Sequence, residues 1–182
     1  EGSARAGSEL LDETGLLGEV LPEMLKMKGC EQTPDFHPEG DVYEHTLRAI
    51  DQLEDGASPT LALGLLLHDI AKPPCRELRG ERTTFYGHSK QGAEMAEVIC
   101  RRLRMSNATT ERVGFLVSQH LRHVSAPEMK GSTLKRFLRQ EGIDELLELT
   151  RLDALASNGD LSRYEFCRRA LGELSEDEIR PP

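Results

Sequence analysis

The chain has 182 residues, of which 37% are hydrophobic, 30% charged and 4% aromatic, and its formal net charge is −9. This length predicts one domain with a substantial core. The acidic balance argues against a protein that grips nucleic acid over a broad surface, because such binding depends on Lys and Arg neutralising phosphates. Abundant Leu, Ala, Glu and Arg, with few β-branched and aromatic residues, predict an all-α fold.

The cysteines and the termini bear on the cellular setting. No apolar run approaches the ~18 residues of a membrane span and no signal peptide is visible, so we expect a cytoplasmic protein without a membrane partner. Residues 1–8, rich in Gly, Ser and Ala, are expected to be disordered or foreign to the domain. Residues 9–182 are expected to form a single domain, a fragment of a longer protein. Four widely spaced cysteines without a CxxC pair predict free thiols: Cys30, Cys75, Cys100 and Cys167.

The first third of the chain predicts short helices followed by a longer one. Glycines and a proline divide residues 9–28 into short helices, and residues 30–40 form a Pro-containing loop. Asp41 is then a good helix N-cap, and Glu44 three residues later completes an acidic variant of the capping box. His45 falls on the apolar face of the helix that follows.

A central buried helix is predicted next. Ser58 and Pro59 mark its start, since Ser is a favoured N-cap and Pro a favoured first helical residue. The helix is apolar nearly all round and runs into the adjacent pair His68 and Asp69. Residues 76–87 read as a polar loop, and no strand is predicted in the chain.

Further helices complete the second half, which brings the expected total to about seven to nine. Three of them carry a polar residue on the inner face, namely His88, His120 and Asp153. One helix is predicted to begin near His88, and the next begins after Ser106-Asn107 and ends at Pro127. The remaining helices are predicted over residues 133–139, over residues 143–156 and from Asp160 to Leu174.

Six polar side chains therefore occupy positions where burial is predicted: His45, His68, Asp69, His88, His120 and Asp153. A single core-facing histidine is more often a hydrogen-bonded core residue than a ligand, and Asp153 alone could cap a neighbouring helix. Burying a carboxylate without a partner is costly, however, and a bound cation removes that penalty by coordinating carboxylates and neutral imidazoles together. The coincidence of four inward histidines on four helices favours one metal centre.

The run LLLHDIAK over residues 65–72 resembles the signature of the HD superfamily of metal-dependent phosphohydrolases, whose ordered pattern is H…HD…H…H…D. The flanks narrow this resemblance to the HD region of bacterial tRNA nucleotidyltransferase and poly(A) polymerase family proteins. It extends over about residues 16–174. The segments that carry it are Gln32, 36–47, 85–94 and 119–122.

The resemblance implies an all-α HD-domain helical bundle with a buried metal site. One divalent metal would be held by His45, His68, Asp69 and Asp153, and a second, bridged by Asp69, by His88 and His120. The sequence does not choose among iron, manganese, nickel, cobalt, zinc and magnesium, or between one ion and two. With one ion, the last two histidines would bind the phosphate or protonate the leaving oxygen.

The implied activity is that of a phosphomonoesterase or phosphodiesterase, with 2′,3′-cyclic nucleotides or terminal RNA phosphates as substrates. The Gly-Ser motif and paired aspartates of a nucleotidyltransferase domain are absent from this sequence. This piece is therefore not expected to add nucleotides itself, and tRNA would be a partner of the longer protein. A non-catalytic tRNA- or partner-binding module with a structural metal, and a nucleotide sensor without turnover, remain alternatives.

Asp69, Lys72 and Arg122 are the predicted catalytic residues. The two cations would stabilise charge on the phosphoryl oxygens, although a lysine at a helix end is commonly a solvated cap. His123 is a rival to His120 as a ligand. His37, in the Pro-containing loop, either lies at the site mouth or orders the loop. The basic cluster of residues 101–104 is read as a solvated helix face rather than an RNA contact.

Overall fold

The computed structural model describes residues 4–33, 40–80 and 82–174. Within these residues the prediction of an all-α fold is confirmed, with one small hairpin in addition. The helices are α1 (Ala4–Glu13), α2 (Leu17–Val20), α3 (Pro22–Leu25), α4 (Val42–Asp51), α5 (Pro59–Leu67), α6 (His88–Arg102), α7 (Asn107–Gln119), α8 (Gly131–Leu138), α9 (Ile143–Ala156) and α10 (Ser162–Gly172). A 3₁₀ helix over Arg122–Glu128 follows α7.

The prediction of a polar loop without strands over residues 76–87 is wrong. Strand β1 (Glu77–Arg79) pairs antiparallel with β2 (Arg82–Thr84), and Gly80 supplies the positive φ of 65° that the turn needs. Leu78 in β1 is 72% exposed. Since neither strand has an apolar face to bury, no hydrophobic alternation was present in the sequence to indicate them.

The N-terminal segment differs from its prediction as well. Helix α1 begins at Ala4, inside the segment expected to be disordered, while residues 1–3 lie outside the described part of the chain. Arg5 contacts Glu9 one turn later at 2.8 Å and Glu44 of α4 at 3.5 Å. These charge contacts tie α1 to the bundle although its sequence is rich in small residues. The single domain over residues 9–182 stays a prediction.

The predicted starts of α4 and α5 are confirmed by their caps, whereas the last helix begins at Ser162 and not at Asp160. The Asp41 carboxylate accepts a hydrogen bond from the backbone N–H of Glu44 at 2.8 Å, and Ser58 Oγ accepts one from Leu61 at 3.0 Å. The Glu44 carboxylate accepts a hydrogen bond from Arg48 at 3.0 Å and so stabilises the helix surface. Caps of this kind set where the long helices begin and therefore which residues reach their far ends.

Helix α5 is the centre of the bundle and packs against α4, α7 and α9. It approaches α7 closely because Gly64 has no side chain: a Cβ there would lie 2.8 Å from Leu116 Cδ1. Gly92 plays a similar part between α6 and α7, since a Cβ there would lie 3.2 Å from Val117 Cγ1. The same position lies in ordinary van der Waals contact with the carbonyl oxygen of His68, at the end of α5. The C-terminal end of α5 is thus surrounded by α4, α6, α7 and α9.

The cysteines are free thiols, as predicted. Three of them are buried, and burial raises the pKa of each, that of Cys167 to about 11. In the described parts of the chain every helix is too short or too polar to span a lipid bilayer.

Candidate metal centre

The six residues predicted as metal ligands come together at the C-terminal end of α5. His45 is in α4, His68 and Asp69 directly follow α5, His88 opens α6, His120 follows α7 and Asp153 is in α9. Five of these residues are almost fully buried, and the side chain of Asp153 is 17% exposed. Segments far apart in the sequence therefore converge on one polar cluster inside an apolar bundle.

Backbone carbonyls orient three of the imidazoles. In each case the acceptor belongs to the residue three positions earlier: Nδ1 of His68 donates to Leu65 O at 2.6 Å, and Nδ1 of His88 donates to Phe85 O at 2.7 Å. The same bond at His120 goes to Val117 O at 2.7 Å. Because a carbonyl oxygen can only accept, Nδ1 carries the proton of that bond and Nε2 is the nitrogen that could coordinate a metal.

The ligand atoms form two groups of three, each group lying within 4.8 Å. The first group is His45, His68 and Asp153, in which His45 Nε2 lies 2.9 Å from Asp153 Oδ1 and 3.3 Å from His68 Nε2. The second group is Asp69, His88 and His120, in which the two Nε2 atoms are 3.3 Å apart. This division is the one that the resemblance implied.

Asp69 lies between the two groups and contacts both. Its Oδ2 is 3.2 Å from His68 Nε2 and 3.7 Å from His45 Nε2. Its Oδ1 is 3.4 Å from His88 Nε2 and 3.8 Å from His120 Nε2. One carboxylate thus offers a separate oxygen to each group, which is what a bridging ligand must do.

The electrostatics of the cluster favour a bound cation. Burial raises the pKa values of Asp69 and Asp153. The positive charge of His68 outweighs this effect at Asp69, and hydrogen bonds with His45 and His68 outweigh it at Asp153, so that both pKa values lie well below the ordinary value. Burial likewise lowers the pKa of His68, yet the two carboxylates raise it to about 10. Burial and the charge of His68 lower the pKa of His120 to about 3. The two carboxylates are therefore held in the ionised form, in which they can coordinate a cation.

The donor set fits a divalent metal. Asp69 Oδ2 is buried and accepts no hydrogen bond of ordinary geometry from the described residues. Imidazole nitrogens combined with carboxylate oxygens suit iron, manganese, nickel, cobalt and zinc, and the set does not choose among them. The side chains present can therefore hold one or two divalent cations.

Lys72 is part of the cluster, as predicted. Its ammonium group lies 2.7 Å from Asp69 Oδ2 and donates a hydrogen bond to Gln32 Oε1 at 2.6 Å. It also lies 5.5 Å above the centre of the Phe85 ring. Gln32 was named from the sequence only as a residue that carries the resemblance, and no functional role was predicted for it.

A cavity of about 280 Å³ lies beside the cluster. Its wall includes candidate metal ligands, Lys72 and several other polar side chains. The polar residues of this wall are Asp69, Lys72, His120, His123, Thr150, Asp153, Ser157 and Asn158.

Arg122 is not brought to the cluster. It is an exposed residue whose guanidinium lies 5.9 Å above the Phe137 ring, and it is not part of the cavity wall. His123, one residue later, does line the cavity but belongs to neither group of ligand atoms. Its Nδ1 donates to His120 O at 2.8 Å, and burial lowers its pKa. His37 lies outside the described residues.

The basic cluster of α6 has the solvated character that was expected. Arg101 pairs with Glu97 at 2.8 Å, and Arg102 pairs with Glu23 at 2.7 Å. Arg104, just past the helix end, has a positive φ of 57°. These arginines lie on a face that is stabilised by its own acidic residues.

Comparison with known proteins agrees with this geometry. A family model described as "HD domain" matches residues 42–158, which include all six ligand residues. An A-adding tRNA nucleotidyltransferase of Deinococcus radiodurans is 32% identical over 98% of this chain and 43% of its own length. A CC-adding tRNA nucleotidyltransferase of Thermus thermophilus is 35% identical over 89% of this chain and 39% of its own.

A third relative, a multifunctional CCA protein of Alkalilimnicola ehrlichii, is 32% identical over 79% of this chain and 34% of its own length. The chain therefore spans less than half of the length of these curated relatives. The family match covers most of the described bundle and contains the whole cluster. By sequence and by the arrangement of its buried histidines and aspartates, this chain belongs to the HD domain family.

Proposed function

We propose that this chain is the metal-dependent phosphohydrolase region of a protein related to tRNA nucleotidyltransferases. It would act as a phosphomonoesterase or phosphodiesterase, with 2′,3′-cyclic nucleotides and terminal RNA phosphates as candidate substrates. The observation that carries the proposal is the pair of ligand groups that share Asp69 beside a cavity containing Lys72. Nucleotide addition to tRNA, which the names of the relatives state, we assign to the longer protein.

Each part of the cluster would have its own role in hydrolysis. The two groups of histidines and aspartates would hold divalent cations, which would supply hydroxide from bound water near neutral pH. Asp69 holds the two groups at a fixed separation, and the carbonyl bonds to Nδ1 keep the imidazoles from turning away. Lys72 stabilises the charge that develops on the phosphoryl oxygens, in a buried setting where such contacts are strong. The structure offers no contact that would give Arg122 a similar role.

The test is hydrolysis by protein purified without chelator and loaded separately with each candidate metal. The panel contains p-nitrophenyl phosphate, bis(p-nitrophenyl) phosphate and 2′,3′-cyclic nucleotides. We expect metal-dependent product release that chelator abolishes and that His68→Ala lowers by about 10³-fold. Glu165→Ala, an exposed change in α10, is the matched control and keeps wild-type activity.

The proposal fails if metal-loaded protein is inert on the whole panel and His68→Ala behaves identically. In that case the second candidate, a non-catalytic tRNA-binding module with a structural metal, takes its place. The names of the relatives favour that candidate, whereas the net charge of −9 argues against strong RNA binding by this region alone. A gel shift with tRNA that weakens steeply with salt would support it.

A further inference from the structure

His123 has an oriented ring on the wall of the cavity. The residue is only 9% exposed, and its Nδ1 donates to the carbonyl oxygen of His120 at 2.8 Å. That bond fixes which edge of the ring faces the protein backbone. Nε2 is then the ring nitrogen that has no hydrogen-bond partner among the described residues, and the ring lines the cavity. An oriented, unpartnered nitrogen beside a catalytic cluster is a candidate for contact with a ligand.

Two hydroxyl groups on the same cavity wall have already used their protons. Thr150 Oγ1 donates to Leu147 O at 2.8 Å, and Ser157 Oγ donates to Asp153 O at 2.9 Å. A hydroxyl has one proton and two lone pairs, so each of these oxygens can offer the cavity only acceptor capacity. A neutral imidazole whose Nδ1 is protonated likewise offers a lone pair at Nε2.

His123, Thr150 and Ser157 therefore differ in chemistry from the residues that would bind the phosphate group. Lys72 and the metal ligands suit an anion, whose oxygens are themselves acceptors. Acceptors on the wall cannot bind such oxygens and need donors from the ligand. The simplest donor that a phosphate ester brings is a second hydroxyl group on its alcohol part.

We propose that His123 Nε2 accepts a hydrogen bond from a hydroxyl group next to the scissile phosphate ester. His123 is then a specificity-determining residue, and the site prefers phosphate esters of polyhydroxy compounds such as ribose to matched esters that lack the hydroxyl. This inference rests on the proposed phosphohydrolase function. Among the candidate substrates it concerns the terminal phosphates, since a 2′,3′-cyclic phosphate has no free hydroxyl group next to the ester.

The experiment compares adenosine 3′-monophosphate with 2′-deoxyadenosine 3′-monophosphate, using the metal-loaded full chain at pH 8. An imidazole of ordinary pKa is neutral at that pH. For the wild type we expect kcat/KM to favour the hydroxylated ester by about 10-fold, the size of one well-made hydrogen bond to a hydroxyl group. The nitrophenyl ester, assayed alongside, reports the phosphohydrolase activity itself.

Two substitutions separate the contact from the fold. His123→Asn keeps an amide donor that can reach His120 O but has no acceptor at the position of Nε2, so the preference should fall to within about 2-fold. His123→Gln places an amide oxygen near the position of Nε2 and should restore most of the preference. Ser125→Ala, an exposed change in the same 3₁₀ helix, is the control and leaves the preference as in the wild type.

The outcomes distinguish the two proposals. A wild type that hydrolyses the nitrophenyl ester without preferring adenosine 3′-monophosphate overturns the role of His123 and leaves the phosphohydrolase function standing. If His123→Asn retains the full preference, the role of His123 is likewise overturned and the phosphohydrolase function stands. A wild type that is inert on all three esters with every metal overturns the proposed function itself, and this inference with it.

Discussion

Two polar clusters, one buried and one half-buried, join the same central helices, and they balance their charges differently. The first is the metal centre. The second surrounds Glu145 at the start of α9, whose carboxylate accepts hydrogen bonds from the Ser58 hydroxyl, from Thr60 at 2.6 Å and from Arg112 at 2.6 Å. Arg112 also donates to the carbonyl oxygen of Gly142 at 2.6 Å. Both clusters bring together residues from the neighbourhoods of α5, α7 and α9.

The difference is whether the protein supplies the balancing charge. Glu145 is one carboxylate facing one guanidinium, with hydroxyl donors for its remaining lone pairs. The metal centre has two carboxylates, a single lysine, and imidazole nitrogens that face one another at 3.3 Å. A polar cluster that satisfies itself holds a fold together, whereas one that directs lone pairs at a common point can hold a cation.

The largest effect that would test this comparison is on metal content. If Asp69 bridges two ions, Asp69→Ala loses both, whereas Asp153→Ala disturbs only the first group. Both substitutions should lower kcat/KM by about 10³-fold, because each removes a group that holds the catalytic ion. Metal analysis of the purified variants gives the stoichiometry. Equal metal content in wild type and Asp69→Ala would contradict the bridging role.

Substitution in the second cluster should lower the stability of the fold and leave metal content and activity unchanged. Glu145→Ala removes three hydrogen bonds, one of them to a guanidinium, and should lower the free energy of unfolding by about 2 kcal/mol. Metal content and kcat are expected to stay as in the wild type. Urea denaturation followed by circular dichroism measures the change, with Glu165→Ala as an exposed control. Loss of metal in Glu145→Ala would show that the clusters are coupled.

A smaller effect is expected at the connection between Lys72 and Gln32. Gln32→Leu removes the acceptor that orients the ammonium group, and kcat should fall by about 10-fold, as for other residues that position a catalytic group. Metal content should not change, because Gln32 contacts the lysine rather than a ligand histidine. Gln52→Leu, at the exposed end of α4, is the matched control. Wild-type kcat in Gln32→Leu would remove the positioning role.

The smallest predicted effect is the loss of stability at low pH. Burial raises the pKa of Glu145, but hydrogen bonds from Ser58, Thr60 and Arg112 outweigh it and lower the pKa below its ordinary value of 4.5. A carboxyl group with a depressed pKa stabilises the folded state above pH 4.5, and this contribution disappears as the pH falls through the folded-state pKa. The stability difference between wild type and Glu145→Gln should therefore narrow below pH 4.5. Measurement of the free energy of unfolding of both proteins between pH 7 and pH 3 tests this, and a stability difference that stays constant down to pH 3 would contradict the prediction.

Much of this architecture could be predicted because it depends on local signals. Asp41, Ser58 and Ser106 mark helix starts through side chains that accept from the third following residue, which is a property of neighbouring positions. The six ligand residues could be found because polar groups at apolar positions are costly and need a common explanation. The ordered pattern of the resemblance then grouped them as the structure does.

Other features had no local signal. The hairpin of β1 and β2 buries no apolar face, and Arg122 and His123 are adjacent, so that helix periodicity alone could not separate them reliably. The turn of the 3₁₀ helix directs His123 into the cavity wall and Arg122 toward Phe137. Gln32 matters only through its contact with a lysine 40 positions later.

The sequence by itself determined the helical bundle, its caps and the set of buried histidines and aspartates, because these follow from short-range hydrogen bonding and from the cost of burying polar groups. Only the tertiary structure decided that the two carboxylate oxygens of Asp69 face different groups and that His123 faces the cavity. It also decided that Lys72 is held by Gln32. Those facts depend on distances between segments remote in the chain, which are set by close helix contacts such as that at Gly64.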